Sequence, residues 1–212
     1  AIAKFMYLYM FVKSLANWDG GHYLGIAKNG YTNSQFVFFP LYPILINLVS
    51  KITGDFLSAG LIISWVSIFL AINLLYRLVK EEFGKQQAIK ALLALLFFPL
   101  SFHFLTVYTE SLFLFLVVAT FVLIRKESYL LATIFAILAS VTRLSGLAVV
   151  VSLIFHVYLT KGFNKKNWVV ILAPLGFILY GVYLYINTGD FFYFVSAETN
   201  FWQTGLVLPG SA

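Results

Sequence analysis

Three short stretches hold the residues that could do chemistry. They are Asn17-Trp18-Asp19-Gly20-Gly21-His22-Tyr23, Tyr108-Thr109-Glu110-Ser111 and Thr142-Arg143-Leu144-Ser145-Gly146. The chain has only eight acidic residues, so the position of each can be questioned. Asp19 sits beside a Trp, two glycines and a His, directly after an apolar run. A carboxylate there could take the proton of a hydroxyl as that hydroxyl attacks a donor. Gly20 and Gly21 would let a ligand approach the backbone closely. Arg143 stands between two closely linked apolar runs, and an Arg so placed is costly unless it reaches water or a partner. A guanidinium suits phosphate oxygens by geometry as well as charge, so Arg143 is a candidate to hold a lipid phosphate. Trp18, Tyr108 and Glu110 are candidates to bind substrate, the last two through its hydroxyls.

Each motif also has a plain reading. Trp18 fits an interfacial aromatic belt and Asp19 a helix cap. Thr109 could cap the next helix, with Glu110 favourable in its first turn. Arg143 could snorkel to the outer headgroups. His22, three residues after Asp19, would share its face on a helix and could bind phosphate or steer substrate. With His103 and His156 it forms no metal-binding spacing, so a divalent metal is unassigned. Asp190 and Glu198, near the C-terminal end, could contact substrate or be ordinary loop residues. Walker A, dinucleotide, Ser-His-Asp and zinc patterns are absent, which disfavours nucleotide-sugar chemistry on a soluble domain.

The elements that must position these residues are apolar. Of 212 residues, 61% are hydrophobic and 10% charged. The mean hydropathy is +0.92. Soluble chains carry about 25% charge, so an integral membrane protein is expected. Period-2 alternation is missing, which argues against a β-barrel. The net charge of +6 reads as cytoplasmic-loop Lys and Arg, with no nucleic-acid partner. The absence of cysteine excludes a disulfide framework. The expected fold class is all-α, a polytopic transmembrane helix bundle of about seven spans. Expected spans are the end of a first one over 1–12, then 56–79, 87–105, 109–124, 128–142, 144–160 and 167–187. The chain reads as a single transmembrane domain over 1–212, a fragment incomplete at both ends. Residues 13–55 form a first outer loop carrying the Asp19 motif and short surface helices. Residues 188–212 form an outer loop and the start of a further segment.

The segment 36–50 is apolar but short, and Pro40 and Pro43 interrupt it. If it lies along the outer surface, the basic loops alternate cleanly. Arg77, Lys80, Lys85, Lys90, Arg125, Lys126, Lys161, Lys165 and Lys166 then all fall inside. Asp19, Asp55, Glu110, Arg143, Asp190 and Glu198 all face outward, consistent with a polar cavity at the outer face.

The order of these motifs resembles one family. The stretches NWDGGHYLGIAKNGY (17–31), FVFFPLYPIL (36–45), FFPLSFHFLTVYTESLF (97–113) and SVTRLSGL (140–147) are similar to the GPI mannosyltransferase 2 family and its bacterial relatives, within the GT-C class of multi-span glycosyltransferases. The resemblance implies transfer of mannose from a polyprenyl-phosphate donor on the non-cytoplasmic face. It implies that the first-loop acid, matched by Asp19, is catalytic, and it maps the later acid and arginine onto Glu110 and Arg143. Inverting attack at C1 would expel polyprenyl phosphate, stabilised by Arg143 with His22 or Lys28. The expected partners are the lipid-linked donor, membrane lipids, and a glycan, glycolipid or protein acceptor. The expected site is the outer face of a bacterial plasma membrane, or the endoplasmic reticulum membrane if the source is eukaryotic. A transporter or lipid flippase is the alternative, but that predicts mid-membrane charges and repeat symmetry, and neither is visible.

Overall fold

The computed structural model describes residues 2–202. The last ten residues of the expected 188–212 segment lie outside them. Among the described residues every regular element is helical. Ten α-helices run α1 (Ile2–Ser14), α2 (Asp19–Asn29), α3 (Leu41–Thr53), α4 (Phe56–Phe83), α5 (Lys85–Leu96), α6 (Glu110–Arg125), α7 (Tyr129–Ser140), α8 (Gly146–Lys161), α9 (Leu175–Thr188) and α10 (Tyr193–Trp202). Short 3-10 turns occupy Asn33–Gln35, Ser101–Leu105 and Trp168–Leu172.

Among the described residues two stretches are long and apolar enough to cross a bilayer, Phe56–Phe83 and Trp168–Thr188. The 28 residues of α4 extend about 42 Å. Its start is fixed by the Asp55 side chain, which accepts from the Ser58 N–H at 2.8 Å and from the Ser58 hydroxyl. Bonds to the ionised form hold the Asp55 carboxyl below the usual range, the Ser58 N–H first among them. The expected span 87–105 is not one helix. α5 stops at Leu96 and the chain turns through Phe97-Phe98-Pro99 into the 3-10 turn. Pro99 disfavours the helical region for Phe98 and supplies no N–H. The other expected spans coincide with shorter helices. α6 and α8 have 16 residues each, about 24 Å, and α7 has 12.

Charge pairs fix the direction of these helices. Arg125 at the end of α6 bonds Glu82 at the end of α4. Lys161 at the end of α8 bonds Glu127, between α6 and α7, at 2.8 Å. At the other end, Val107 N–H donates to Leu15 O at 2.9 Å, joining the end of α1 to the loop before α6. So α4, α6 and α8 run one way, and α7 returns between α6 and α8. α7 places Ala132, Ala136 and Ala139 on its fully buried side, and such small residues let neighbouring helices approach closely.

α3 begins at Leu41, after Pro40, with Pro43 in its first turn where a missing N–H costs nothing. It folds back against the start of α4. Tyr42, fully buried, reaches Gly60 O at 3.0 Å and Ser64 Oγ at 2.7 Å. The opposite side of α3 exposes Ile44, Leu48 and Ile52, and α4 likewise exposes Val66 and Phe69. An apolar exterior of this kind suits lipid contact.

Candidate functional site

Asp19 is the first residue of α2, reached through a turn at Leu15–Asn17. Trp18 takes φ +57°, unusual for a residue with a side chain, and its indole is 87% exposed. No side-chain bond caps α2, so neither Trp18 nor Asp19 serves the capping role that sequence allows. The following glycine does a different job from the one expected. Gly20 approaches protein backbone, and a Cβ there would meet Val107 O at 3.0 Å. Gly60 of α4 receives the Val107 side chain, and a Cβ there would meet Val107 Cγ1 at 2.8 Å. The two glycines make a notch for Val107, and that wedges the 106–109 loop between α2 and α4. Tyr108, Thr109 and Glu110 come beside Asp19 as a result, and Tyr108 Oη donates to Asn17 O at 3.2 Å.

Arg143 arrives from the tight α7–α8 turn. Gly146 is required there, because a Cβ would lie 2.1 Å from Ala139 O. The Arg143 Nη1 donates to Glu110 Oε1 at 2.5 Å and to Thr109 Oγ1 at 3.2 Å. Thr109 makes no helix cap and accepts from the guanidinium instead. The arginine is not alone. Glu110 Oε2 is buried and has no hydrogen-bond partner among the described residues.

Asp19, Tyr108, Glu110 and Arg143 line one cavity of about 680 Å³. Phe38 and Phe39, from the segment before α3, and Glu198 and Trp202, from α10, complete its walls. That volume is in the range of small-molecule sites. Partial burial, and then the charge of Glu110, raise the Asp19 carboxyl above its usual range, while His22, Arg143 and His103 pull it down. Burial likewise raises Tyr108, and Asp19 adds to this.

Of the residues singled out from sequence, Trp18 and His22 do not line this cavity. His22 stacks on Phe38 at 5.0 Å between ring centres and meets the Trp202 ring edge-on at 4.9 Å. Lys28 lines a separate apolar groove of about 640 Å³ between α2, α3 and α9. His103, given no role from sequence, packs against Tyr108 with ring centres 4.7 Å apart and the rings tilted by 48°, and its Nδ1 is buried and unpartnered among the described residues. Trp202 carried no signal, because its partners are far away in the chain. Its indole N–H donates to Ser34 O at 2.9 Å. Among the described residues no group of three acids or histidines could hold a metal ion.

The model of the mannosyltransferase (PIG-V) family matches residues 3–170. The chain belongs to this family. It is also similar to GPI mannosyltransferase 2 of Drosophila pseudoobscura pseudoobscura, with 32% identity over 116 residues. That match covers 49% of this chain and 26% of the relative, so the chain spans about a quarter of that relative's length. No solved structure matches. The residues matched to the mannosyltransferase family include Asp19, Tyr108, Glu110 and Arg143, and α10 lies beyond them.

Proposed function

We propose that this chain carries the catalytic centre of a membrane mannosyltransferase that moves mannose from a polyprenyl-phosphate donor to a hydroxyl acceptor, with inversion, on the non-cytoplasmic face. One observation supports this reading above the others. A single cavity holds a carboxylate with raised proton affinity, Asp19, together with an arginine, Arg143, whose guanidinium bonds protein only through Nη1 among the described residues. Asp19 takes the acceptor proton as the acceptor oxygen attacks C1. The bond from C1 to the phosphate oxygen breaks, and its electron pair leaves with polyprenyl phosphate. Arg143 faces that leaving charge, where a preformed donor is worth most. Before the donor binds, Glu110 neutralises Arg143. The incoming phosphate competes with Glu110, and the displaced carboxylate is free to accept from a sugar hydroxyl.

The deciding experiment is an assay of the full-length protein in membranes with labelled polyprenyl-phosphate mannose. Transfer to a hydroxyl acceptor with a β-to-α or α-to-β change at C1 is expected. Retention of configuration, or movement of the lipid without transfer, would remove the mechanism. The face is tested separately. Cysteines placed at Asn33 and Ser58, both exposed near the cavity end, should react with an impermeant thiol reagent from outside. One at Lys126 should not. Labelling of Lys126→Cys from outside would invert the topology.

A further inference from the structure

We propose that the groove between α3 and α9 holds a resident anionic phospholipid of the bilayer, with its phosphate at Lys28 and Lys51 and an acyl chain along the groove. The lipid is not a substrate, and the site lies outside the Asp19 cavity. The proposal rests on the transferase reading above only in giving the donor phosphate to Arg143.

The groove has the shape of a chain-binding site. Its volume is about 640 Å³, in the range of small-molecule sites. α3 and α9 both begin against Val141. The Leu41 N–H donates to Val141 O at 2.9 Å, and a Cβ on Gly176 would meet Val141 Cγ1 at 3.0 Å. Leu41, Ile44 and Leu48 line one wall, and Gly176, Leu179 and Tyr183 the other. From Leu41 to Leu48 is about 10 Å. Ile44, Leu48 and Leu179 are each more than half exposed, so the groove opens sideways onto the apolar exterior.

The end away from Val141 carries positive charge. There Asn47 donates to Ala27 O at 2.8 Å, which brings the last turn of α2, with Lys28, to the groove. Lys51 follows Asn47 by one turn on the same face of α3. Both lysines are exposed, and neither has an ion pair among the described residues. No acid lines the groove among the described residues. An apolar trough ending in two unpaired cations complements an acyl chain ending in an anionic headgroup. A zwitterionic headgroup brings its own cation and gains less.

A substrate fits this place less well. Val37, Phe38 and Phe39 line the Asp19 cavity, whereas Pro40 and Leu41 line the groove, so their segment is a wall between the two. The wall is pinned, because the Tyr31 and Tyr180 hydroxyls both donate to Phe38 O, at 2.7 and 3.3 Å. Asp19 and Lys28 stand about 14 Å apart along α2. A phosphate at Lys28 is therefore not the one that leaves C1 beside Asp19. The lipid acts by packing. It fills the space between α2, α3 and α9, and α2 carries Asp19 at its other end. Occupancy should raise kcat and leave both KM values alone.

The test uses the full-length protein in vesicles of phosphatidylcholine alone, or of equal parts phosphatidylcholine and phosphatidylglycerol. The probe is a phosphatidylglycerol with a photoreactive diazirine in one acyl chain. Capture on α3 and α9 is expected, competed by phosphatidylglycerol and not by phosphatidylcholine. Lys28→Gln and Lys51→Gln should each weaken capture about fivefold. Leu48→Trp fills the groove from an exposed position, so it should block capture with the fold intact. Transfer from polyprenyl-phosphate mannose should show a severalfold higher kcat in the mixed vesicles, a gain that Leu48→Trp abolishes. Capture that phosphatidylcholine competes equally well, or that survives both lysine changes together, would overturn the headgroup site. Competition by polyprenyl phosphate, or a rise in acceptor KM with phosphatidylglycerol, would hand the groove to a substrate and overturn the proposal too. Capture with no gain in kcat would overturn the coupling to α2. If the protein transfers nothing, the transferase reading falls by itself, and capture still decides the lipid site.

Discussion

The two ends of the helix bundle use the same residue types to opposite effect. At one end Glu82 pairs with Arg125 and Glu127 with Lys161. Each of these two acids has its own base, and all four side chains are between 43% and 58% exposed. At the other end Asp19, Glu110 and Glu198 surround one cavity with Arg143. The Glu110–Arg143 pair is more enclosed, at 30% and 41%, and one Glu110 oxygen is buried with no partner among the described residues. Closed pairs at the surface neutralise charge and do little else. An enclosed pair with spare valence, beside a second acid, is poised to exchange partners. Enclosure and an unpartnered oxygen set the two ends apart here, while charge count does not.

Replacing Asp19 should break the comparison most visibly. Asp19→Asn keeps size and hydrogen bonding but removes the base, so turnover should fall by a factor on the order of 10² or more. Stability should not fall with it. The folded pKa of Asp19 is raised above its unfolded value. Its contribution is therefore favourable at acid pH and is lost as pH rises through the folded pKa. At neutral pH the ionised side chain opposes folding slightly, so the Asn variant should melt at the same temperature or higher. An Asn variant that turns over at near the parent rate would move the base elsewhere, with Glu110 next in line.

Arg143 comes second. Arg143→Lys keeps the charge and loses the planar fork, which should raise donor KM about tenfold while leaving acceptor KM alone. Arg143→Ala should do so more strongly. Unchanged donor KM in the alanine variant would make the Glu110 pair structural, and the two ends of the bundle equivalent.

A smaller effect should appear in Glu110→Gln, and it concerns pH. Glu110 raises Asp19 by its negative charge and, paired with Arg143, tempers the downward pull that Arg143 already exerts on Asp19. Both changes have the same sign when Glu110 becomes neutral. The acid limb of kcat/KM, set by ionisation of Asp19, should move to lower pH. A limb that stays put, or moves up, would mean that Asp19 does not set it.

Much of this site was legible because charge is scarce in the chain. Asp19, Glu110 and Arg143 each interrupt apolar sequence, and each proved to line the same cavity. α4 was legible for the complementary reason, since it has a capped start and a charged end around a long apolar run. What stayed hidden depends on contacts between distant segments. The Gly20 and Gly60 notch for Val107 joins three elements, and glycine in sequence does not say what it approaches. Thr109 offered a local role as a cap, and a base from 34 residues further on claimed its oxygen. Trp202 meets Ser34 across 168 residues, so nothing nearby in sequence could have revealed it. The break after α5 has a local signal in Pro99, set within an apolar run long enough to read as one span.

The least perturbing change sharpens the comparison by failing to matter. Glu82→Gln removes the partner of Arg125 at the closed end. Both side chains stand more than two-fifths exposed, so solvent already screens their attraction. Exposed pairs of this kind are worth about 0–1 kcal/mol. The melting temperature of the purified protein should therefore shift by no more than a few degrees. Transfer activity should stay within about twofold, because α4 and α6 keep their apolar contacts along their whole length. The loss of an acid also leaves the loops expected inside more basic, which favours the same orientation in the membrane. Glu82→Gln and Glu110→Gln are chemically the same substitution at opposite ends of parallel helices. Equal losses of activity from the two would show that the bundle needs both pairs merely to hold together. The pH-limb shift would then have to be sought in both variants. A shift in Glu110→Gln alone, with Glu82→Gln silent, assigns the effect to charge facing Asp19.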